Sequence, residues 1–300
     1  MIFENLVLVI GLIGLGTLMK KSSLFTENTP EVLNKFVLNI SLPAIIVISI
    51  PKLKVDLNMI IPLGIHWISF IFHIVLILII SKWFKFSKKV MGALLVVSTM
   101  GNTAFLGIPM IKTFFGTEAL SYGILYDQLG TGIAYIVMGA FVLPLFTKEK
   151  KKSPLQVFKD LLIFPPFVAL ILGFLFIYIP FPSVLENFLG SISATLVPCA
   201  MIAVGFQMKY KLPRTTLLPL GIGLWTKLVI IPIFSYFLIT IFGNDSLAAK
   251  TSVLQSGMPP LITAGALAIN AQLEEDLCAS LVGYGLIFSF LSLSILKYFL

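Results

Sequence analysis

Charge is scarce in this sequence. Only 11% of its 300 residues are Asp, Glu, Lys or Arg, while 58% are apolar; soluble domains carry about 25% charged residues. A chain with so few solvating side chains cannot turn most of its surface to water, which excludes an ordinary soluble domain. Cysteine is nearly missing. Cys199 and Cys278 stand in apolar stretches without Cys-x-x-Cys or His spacing, so they read as packing residues and support neither a metal centre nor a disulfide. No Gly-x-x-x-x-Gly-Lys-Ser/Thr sequence occurs, which argues against ATP-driven work. Acidic residues are outnumbered 13 to 21, for a net charge of +8, but the basic residues are scattered through short connections. They form no basic face of the kind that binds nucleic acid.

What the chain has in abundance is apolar runs about as long as a bilayer is thick, roughly 20 residues each. They predict an all-α polytopic membrane protein with ten transmembrane helices, at 5–19, 31–50, 60–80, 90–115, 120–146, 159–179, 184–206, 215–242, 247–271 and 276–297. The first run has no small-residue cleavage site before Lys20 and Lys21 and is expected to stay in the protein. If the N-terminus is outside, fifteen basic residues fall in inside connections, among them Lys82, Lys148, Lys150, Lys209, Lys211 and Arg214, and five outside. By the positive-inside rule both termini face outward from the cell membrane.

The chain also repeats itself. Pro62 in Ile61-Pro62-Leu63-Gly64 and Pro219 in Leu218-Pro219-Leu220-Gly221 are 157 residues apart; Pro43 and Pro198 are 155 apart; Gly101 and Gly257 are 156 apart. A shared offset at three places means duplication. Each half has an odd number of spans, so the repeats are inverted: residues 1–147, a basic linker at 148–158, and residues 159–300.

One span in each half is interrupted. Residues 98–109 read Ser-Thr-Met-Gly-Asn-Thr-Ala-Phe-Leu-Gly-Ile-Pro, ending at Pro109, and residues 255–260 read Gln-Ser-Gly-Met-Pro-Pro. Gly and Pro open a helix, and opened backbone inside a membrane has to line a cavity or be buried in protein. Half-helix N-termini bear N–H groups and partial positive charge that suit an anion. A lone break is as readily a plain kink; two at matching positions point to a substrate site.

Leu33-Asn34-Lys35-Phe36-Val37 with Pro43, Gly101-Asn102-Thr103 followed by Gly107-Ile108-Pro109, and Met258-Pro259-Pro260 before Ala266-Leu267-Ala268 together resemble the auxin efflux carrier family. That family includes plant PIN-FORMED exporters and bacterial organic-acid permeases, and the resemblance covers all ten spans. It implies two inverted five-helix repeats, a scaffold and a transport domain, and broken fourth and ninth helices that cross as in bile-acid symporters. It also implies that Asn102 contacts a substrate carboxylate and that Gln128 lines the site. The ninth-helix break departs from the plant pattern, because Pro260 stands where a polar residue is found. Contacts there would fall to backbone N–H groups or Ser256, and auxin itself becomes a doubtful substrate.

Ionisable residues within spans are costly and need a reason. Asp127, beside Gln128, reads either as a cation or proton site, which is favoured, or as a hydrogen-bonded carboxyl near the interface. Lys227 corresponds by the repeat offset to position 70, between His66 and His73, which share a helix face. The two histidines read more readily as neutral imidazoles at helix contacts. For Lys227 a role in charge balance or coupling is favoured. The expected site residues are Gly101, Asn102, Thr103, Gln128, Ser256, Gly257, Pro259 and Pro260 for substrate, with Pro43, Pro109 and Pro198 as helix breaks. The expected function is secondary transport of a small organic anion, with no cofactor, energised by a proton or sodium gradient or the membrane potential. The alternatives are a sodium-coupled symporter of bile-acid-type anions, an intramembrane enzyme or a channel. The partners are the bilayer and the substrate; a homodimer is left open.

Overall fold

Two serines, 159 residues apart, open the two interrupted spans in the same way. Ser87 and Ser246 are both extended (φ −61°, ψ 157° and φ −66°, ψ 158°), and their hydroxyls accept the N–H groups of Val90 and Ala249 at 3.2 Å. Each satisfies one of the N–H groups that a helix start leaves without a partner. A third start shows reciprocal capping: the Ser153 N–H donates to Gln156 Oε1, the Gln156 N–H donates to Ser153 Oγ, and Pro154 takes the first helical position. That helix, Pro154–Ile163, begins inside the expected 148–158 linker.

The computed structural model describes residues 2–22, 24–52, 57–147, 153–179, 181–207 and 216–300. The basic residues expected at 148–152, and Lys209, Lys211 and Arg214, lie outside the described residues. Among the described residues every regular element is helical, and extended pairing is limited to one antiparallel bridge between Gly101 and Pro260.

Among the described residues six helices are long and apolar enough to cross a membrane: Thr29–Lys52, Leu57–Trp83, Thr117–Leu145, Ser183–Ala203, Leu217–Ile241 and Glu275–Phe299. A seventh crossing results if Pro154–Ile163 and Pro165–Leu175, bent by 65° at Phe164, count as one. Six such crossings among the described residues, or seven with the bent pair, are fewer than the ten expected. At the fourth and ninth spans the reason is their interruption. The ninth divides into Leu247–Ser256 and Ile262–Asn270, and the fourth leaves Thr103–Phe115 as a short apolar helix.

Pro43, Pro109 and Pro198 all sit in the first turn of a helix, where a missing N–H is harmless. Pro43 and Pro109 each follow a widened π-helical turn, Val37–Ser41 and Thr103–Gly107, and Pro198 follows a turn at residues 194–195. The distortion expected at these prolines is therefore absorbed one turn earlier.

The chain forms two compact units, each drawn from both halves of the sequence. One comprises Met1–Asp56, Ala104–Ile124 and Lys159–Met208; the other Leu57–Thr103, Leu125–Phe158 and Lys209–Leu300. In the first unit, helix Ile2–Lys21 lies antiparallel against Leu196–Gln207 along a reciprocal glycine contact. A Cβ on Gly16 would stand 2.1 Å from the Ile202 carbonyl oxygen, and one on Gly205 would stand 2.0 Å from that of Ile13. Small residues allow this backbone approach where apolar side chains gain nothing by leaving lipid. Ser41 and Thr195 share a 2.7 Å hydrogen bond in the same unit, and Pro43, Pro109 and Pro198 belong to it.

The second unit is organised around helix Ile60–Trp83, whose polarity is reversed relative to a soluble helix. His66, Ser69 and His73 face inward, while Ile68, Ile71, Val75 and Ile79 are exposed. Inside, Phe70, Ile77, Leu94, Met100, Leu224 and Leu281 belong to one apolar core, and Ser69 hydrogen-bonds Ser235 at 2.8 Å. This pattern suits a protein whose solvent is hydrocarbon.

Gly205→Ala is expected to lower the thermal unfolding midpoint of detergent-solubilised protein by several degrees, since overpacking costs about 1–3 kcal/mol. Gly221→Ala, where a Cβ would meet nothing within 4 Å, should leave it unchanged. Equal midpoints for the two variants would contradict the close glycine contact.

Candidate functional site

The interrupted spans meet backbone to backbone inside the second unit. The helical run through Lys88–Ala93 and Leu94–Ser98 stops at Thr99. There the hydroxyls of Ser98 and Thr99 each donate to a carbonyl one turn back, Leu94 and Leu95, at 2.6 Å. The other run, Leu247–Ser256, stops before Met258-Pro259-Pro260. Asn102 N–H donates to the Pro259 carbonyl at 2.7 Å, and Leu261 N–H to the Met100 carbonyl at 3.0 Å. Proline has no N–H, so Leu261 is the first residue after the pair able to return a bond.

In this conformation the N–H groups of Asn102 and Leu261 are engaged with the opposing segment. The Ser256 hydroxyl likewise donates to Val253 O at 2.7 Å. Inside a membrane each opened segment is the other's nearest hydrogen-bonding partner, which explains the arrangement.

Polar side chains fasten the crossing. Asp127 and Gln128 lie on the π-helical turn Tyr126–Gly132, Lys227 on the π-helical turn Thr226–Ile230, and Thr103 opens a third. Such turns redirect side chains and recur at functional sites. Asp127 accepts from Thr103 Oγ1 on one carboxyl oxygen and from Gln128 Nε2 on the other, both at 2.5 Å. Gln255 Nε2 donates to the Thr103 carbonyl at 3.1 Å. The Asp127 carboxyl is thus hydrogen-bonded on both oxygens and buried at 6% exposure.

Lys227 is also buried, at 3% exposure, and its ammonium donates to the Ser256 carbonyl at 2.9 Å. Ser256 ends its helix, and the residues three and four positions on are Pro259 and Pro260, neither of which has an N–H. Its carbonyl therefore has no backbone donor at the usual positions, and a cation at a helix C-terminus is favoured. Gly101 leaves room for the approach: a Cβ there would stand 3.2 Å from the lysine nitrogen.

His66, His73 and Lys227 line one small cavity with Gly101, Thr103 and Thr131. It offers about 10 Å³ to the centre of a water-sized probe, room for about one water. His73 Nε2 pairs with Thr226 Oγ1 at 3.1 Å. His66 is enclosed by Tyr126, Trp67 and Phe70, with ring centroids 4.8, 5.3 and 5.7 Å away, and neither ring nitrogen has a protein partner.

The second unit thus brings together Gly101, Asn102, Thr103, Asp127, Gln128, Lys227, Ser256, Pro259, Pro260, His66 and His73. Gly257 is in the same unit but accommodates packing, since its Cβ would fall 2.9 Å from Leu296 Cδ2. Sequence reasoning passed over Gln255, Thr99 and Thr131. Gln255 stands at the start of the 255–260 stretch, and an amide beside a break in an apolar span was its available signal.

Asp127→Ala leaves the Thr103 hydroxyl and the Gln128 amide buried without their acceptor, at about 1–3 kcal/mol each. The variant is expected to unfold several degrees below wild type in a detergent melt, and an unchanged midpoint would mean that Asp127 does not fasten the break.

Residues 1–297 match the family model described as membrane transport protein. An uncharacterized transporter of Methanothermobacter thermautotrophicus is 28% identical, the match covering 97% of this chain and 95% of that one. An uncharacterized transporter of Methanocaldococcus jannaschii is 26% identical over 97% of this chain and 96% of that one. With its several apolar crossings, buried polar residues and a family match over nearly its whole length, this chain belongs to the membrane transport protein family, in the auxin efflux carrier group that its sequence resembles.

Proposed function

We propose that the protein is a secondary transporter that moves a small organic anion, a mono- or dicarboxylate, across the cell membrane by alternating access. The substrate carboxylate is held where the fourth and ninth spans break and cross. The observation that carries this reading is the Gly101–Pro260 pairing of two interrupted helices, with the Lys227 nitrogen 3.2 Å from where a Cβ on Gly101 would stand. A protonated lysine beside opened backbone favours an anion over a cation.

The architecture in this reading is ten spans as two inverted repeats, 1–147 and 159–300, with both termini outside. Its support is a regularity among contacts within each unit. Asn102 meets Pro259, 157 residues away; His73 meets Thr226, 153 away; Ser41 meets Thr195, 154 away; Gln255 meets the carbonyl of Thr103, 152 away. In a duplicated inverted structure, residues near the pseudo-two-fold axis face their own counterparts, so contacts recur at about the repeat offset.

Asn102 supplies the recognition amide. Its backbone is fixed by the Pro259 bond, and substrate has access only when the crossing opens, since the residue is 1% exposed in this conformation. Opening and closing about this point is the conformational step on which transport depends.

Liposomes containing the purified protein and offered labelled malonate, malate, acetate or indole acetate should show saturable uptake or counterflow of one class. Losing an amide-to-carboxylate hydrogen bond costs about 1.5–3 kcal/mol, so Asn102→Ala should raise the half-saturating concentration by about 10- to 100-fold. Wild-type flux from Asn102→Ala would remove the proposed site, and non-saturating flux at channel rates would replace the carrier with a pore.

A further inference from the structure

The two corners that lead into the interrupted spans share one backbone and differ in charge. Helix Ile60–Trp83 and helix Ile231–Ile241 end alike. The Phe86 N–H donates to the Ser81 carbonyl at 3.0 Å and the Lys85 N–H to that of Lys82 at 3.2 Å. At the other corner the Asn244 N–H donates to the Ile239 carbonyl at 2.9 Å and the Gly243 N–H to that of Thr240 at 3.1 Å. In this closing turn the residue just past the helix takes the left-handed conformation. Gly243 does so at φ 57° without cost, whereas Lys85 does so at φ 52° against its own Cβ. The bonds are all backbone, so the turn itself has no use for the lysine side chain.

Charge around Lys85 is of one sign. Lys82, Lys85, Lys88 and Lys89 are exposed, and no Asp or Glu occurs between Asp56 and Glu118. None of the four ammoniums pairs with a carboxylate among the described residues. At the matching corner Lys250 is paired with Asp245 at 2.9 Å. Trp83 and Phe84 are exposed beside the lysines, and Phe84 stacks at 5.8 Å on Phe86, which packs against the apolar core. Aromatic rings sit at headgroup level where a crossing helix leaves the hydrocarbon, and ammoniums just beyond them meet lipid phosphates. The positive-inside rule counts lysines in a connection and is indifferent to which position each one holds. It does not account for a lysine in the left-handed place.

We propose that Lys82, Lys85, Lys88 and Lys89 form a binding site for the phosphate of an anionic phospholipid, with Trp83 and Phe84 against the glycerol and upper acyl chains. Lys85 carries the charge across the turn, between the helix that ends at Trp83 and the one that begins at Lys88. In the orientation proposed above, this corner meets the cytoplasmic leaflet, where anionic lipid gathers. The site is independent of what is transported, and its test is independent of orientation, since micelles offer lipid to both ends of the protein.

Thermal melts of the purified full chain in maltoside micelles carrying dioleoyl phosphatidylcholine, replaced stepwise by dioleoyl phosphatidylglycerol, provide the test. Wild type should show a saturable rise of several degrees specific to the anionic lipid. Each lysine at an anionic surface contributes about five-fold in affinity. The half-saturating fraction of phosphatidylglycerol should therefore rise about five-fold in Lys85→Gly and about 25-fold in the double variant Lys88→Gln, Lys89→Gln. Lys35→Gln, whose ammonium pairs with Glu31 at 2.7 Å, should respond as wild type does. In phosphatidylcholine alone Lys85→Gly should melt no lower than wild type, because glycine relieves the left-handed position. Equal wild-type midpoints in the two lipids would overturn the proposal, as would an undiminished rise in the double variant. So would a Lys85→Gly protein less stable than wild type in phosphatidylcholine, which would give the lysine a part in the fold. An equal rise with glycerol phosphate in place of the lipid would make this a site for a soluble anion and overturn it too. If the double variant does not yield monodisperse protein, Lys85→Gly decides.

Discussion

A backbone that leaves the helix inside hydrocarbon must find hydrogen-bond partners within the protein, because lipid supplies none. Gly101 and Pro260 meet for that reason. Two segments that could each open, one through Gly101 and the other through Pro259 and Pro260, answer each other with the bonds from Asn102 to Pro259 and from Leu261 to Met100. The remaining demands follow in order. The carbonyl of Ser256, left without a donor by the prolines, takes Lys227; the carbonyl of Thr103 takes Gln255; the Thr103 hydroxyl takes Asp127. Lys227 and Gln255 thus answer carbonyls at the break, and Asp127 holds the Thr103 side chain beside it.

The same constraint explains why the unit around the crossing turns polar side chains inward, beside its apolar core, and apolar ones outward. On Ile60–Trp83 the buried face carries His66, Ser69 and His73, and the exposed one carries Ile68, Ile71, Val75 and Ile79. Packing in such a protein cannot rely on driving apolar side chains out of the solvent. In the other unit it uses shape, as where Gly16 and Gly205 bring two helix backbones into contact, with hydrogen bonds such as Ser41 to Thr195 added to it.

In the proposed cycle the crossing opens and forms again, which limits how strong the fastening can be. Two backbone bonds and a few single side-chain bonds, each worth about 0.5–1.5 kcal/mol net, hold the breaks together. That sum is of the size that substrate binding or a second conformation can supply.

Much of this was legible in residues read one after another. Hydropathy placed six crossings to within a few residues of where continuous helices stand, as at Leu217–Ile241 against 215–242 and Glu275–Phe299 against 276–297. Gly and Pro marked both breaks, because these residues change what the local backbone can do wherever they sit. The near-equal offsets of Gly101 and Gly257 and of Pro43 and Pro198 were the ground for expecting a duplication. Which groups would face one another was decided only by the tertiary structure. That the N–H of Asn102 is taken by Pro259, that Asp127 holds Thr103, and that Lys227 covers the Ser256 carbonyl are facts about residues 24 to 157 positions apart in the chain. A linear pattern states that a carbonyl will lack its donor; only three-dimensional packing selects the side chain that replaces it.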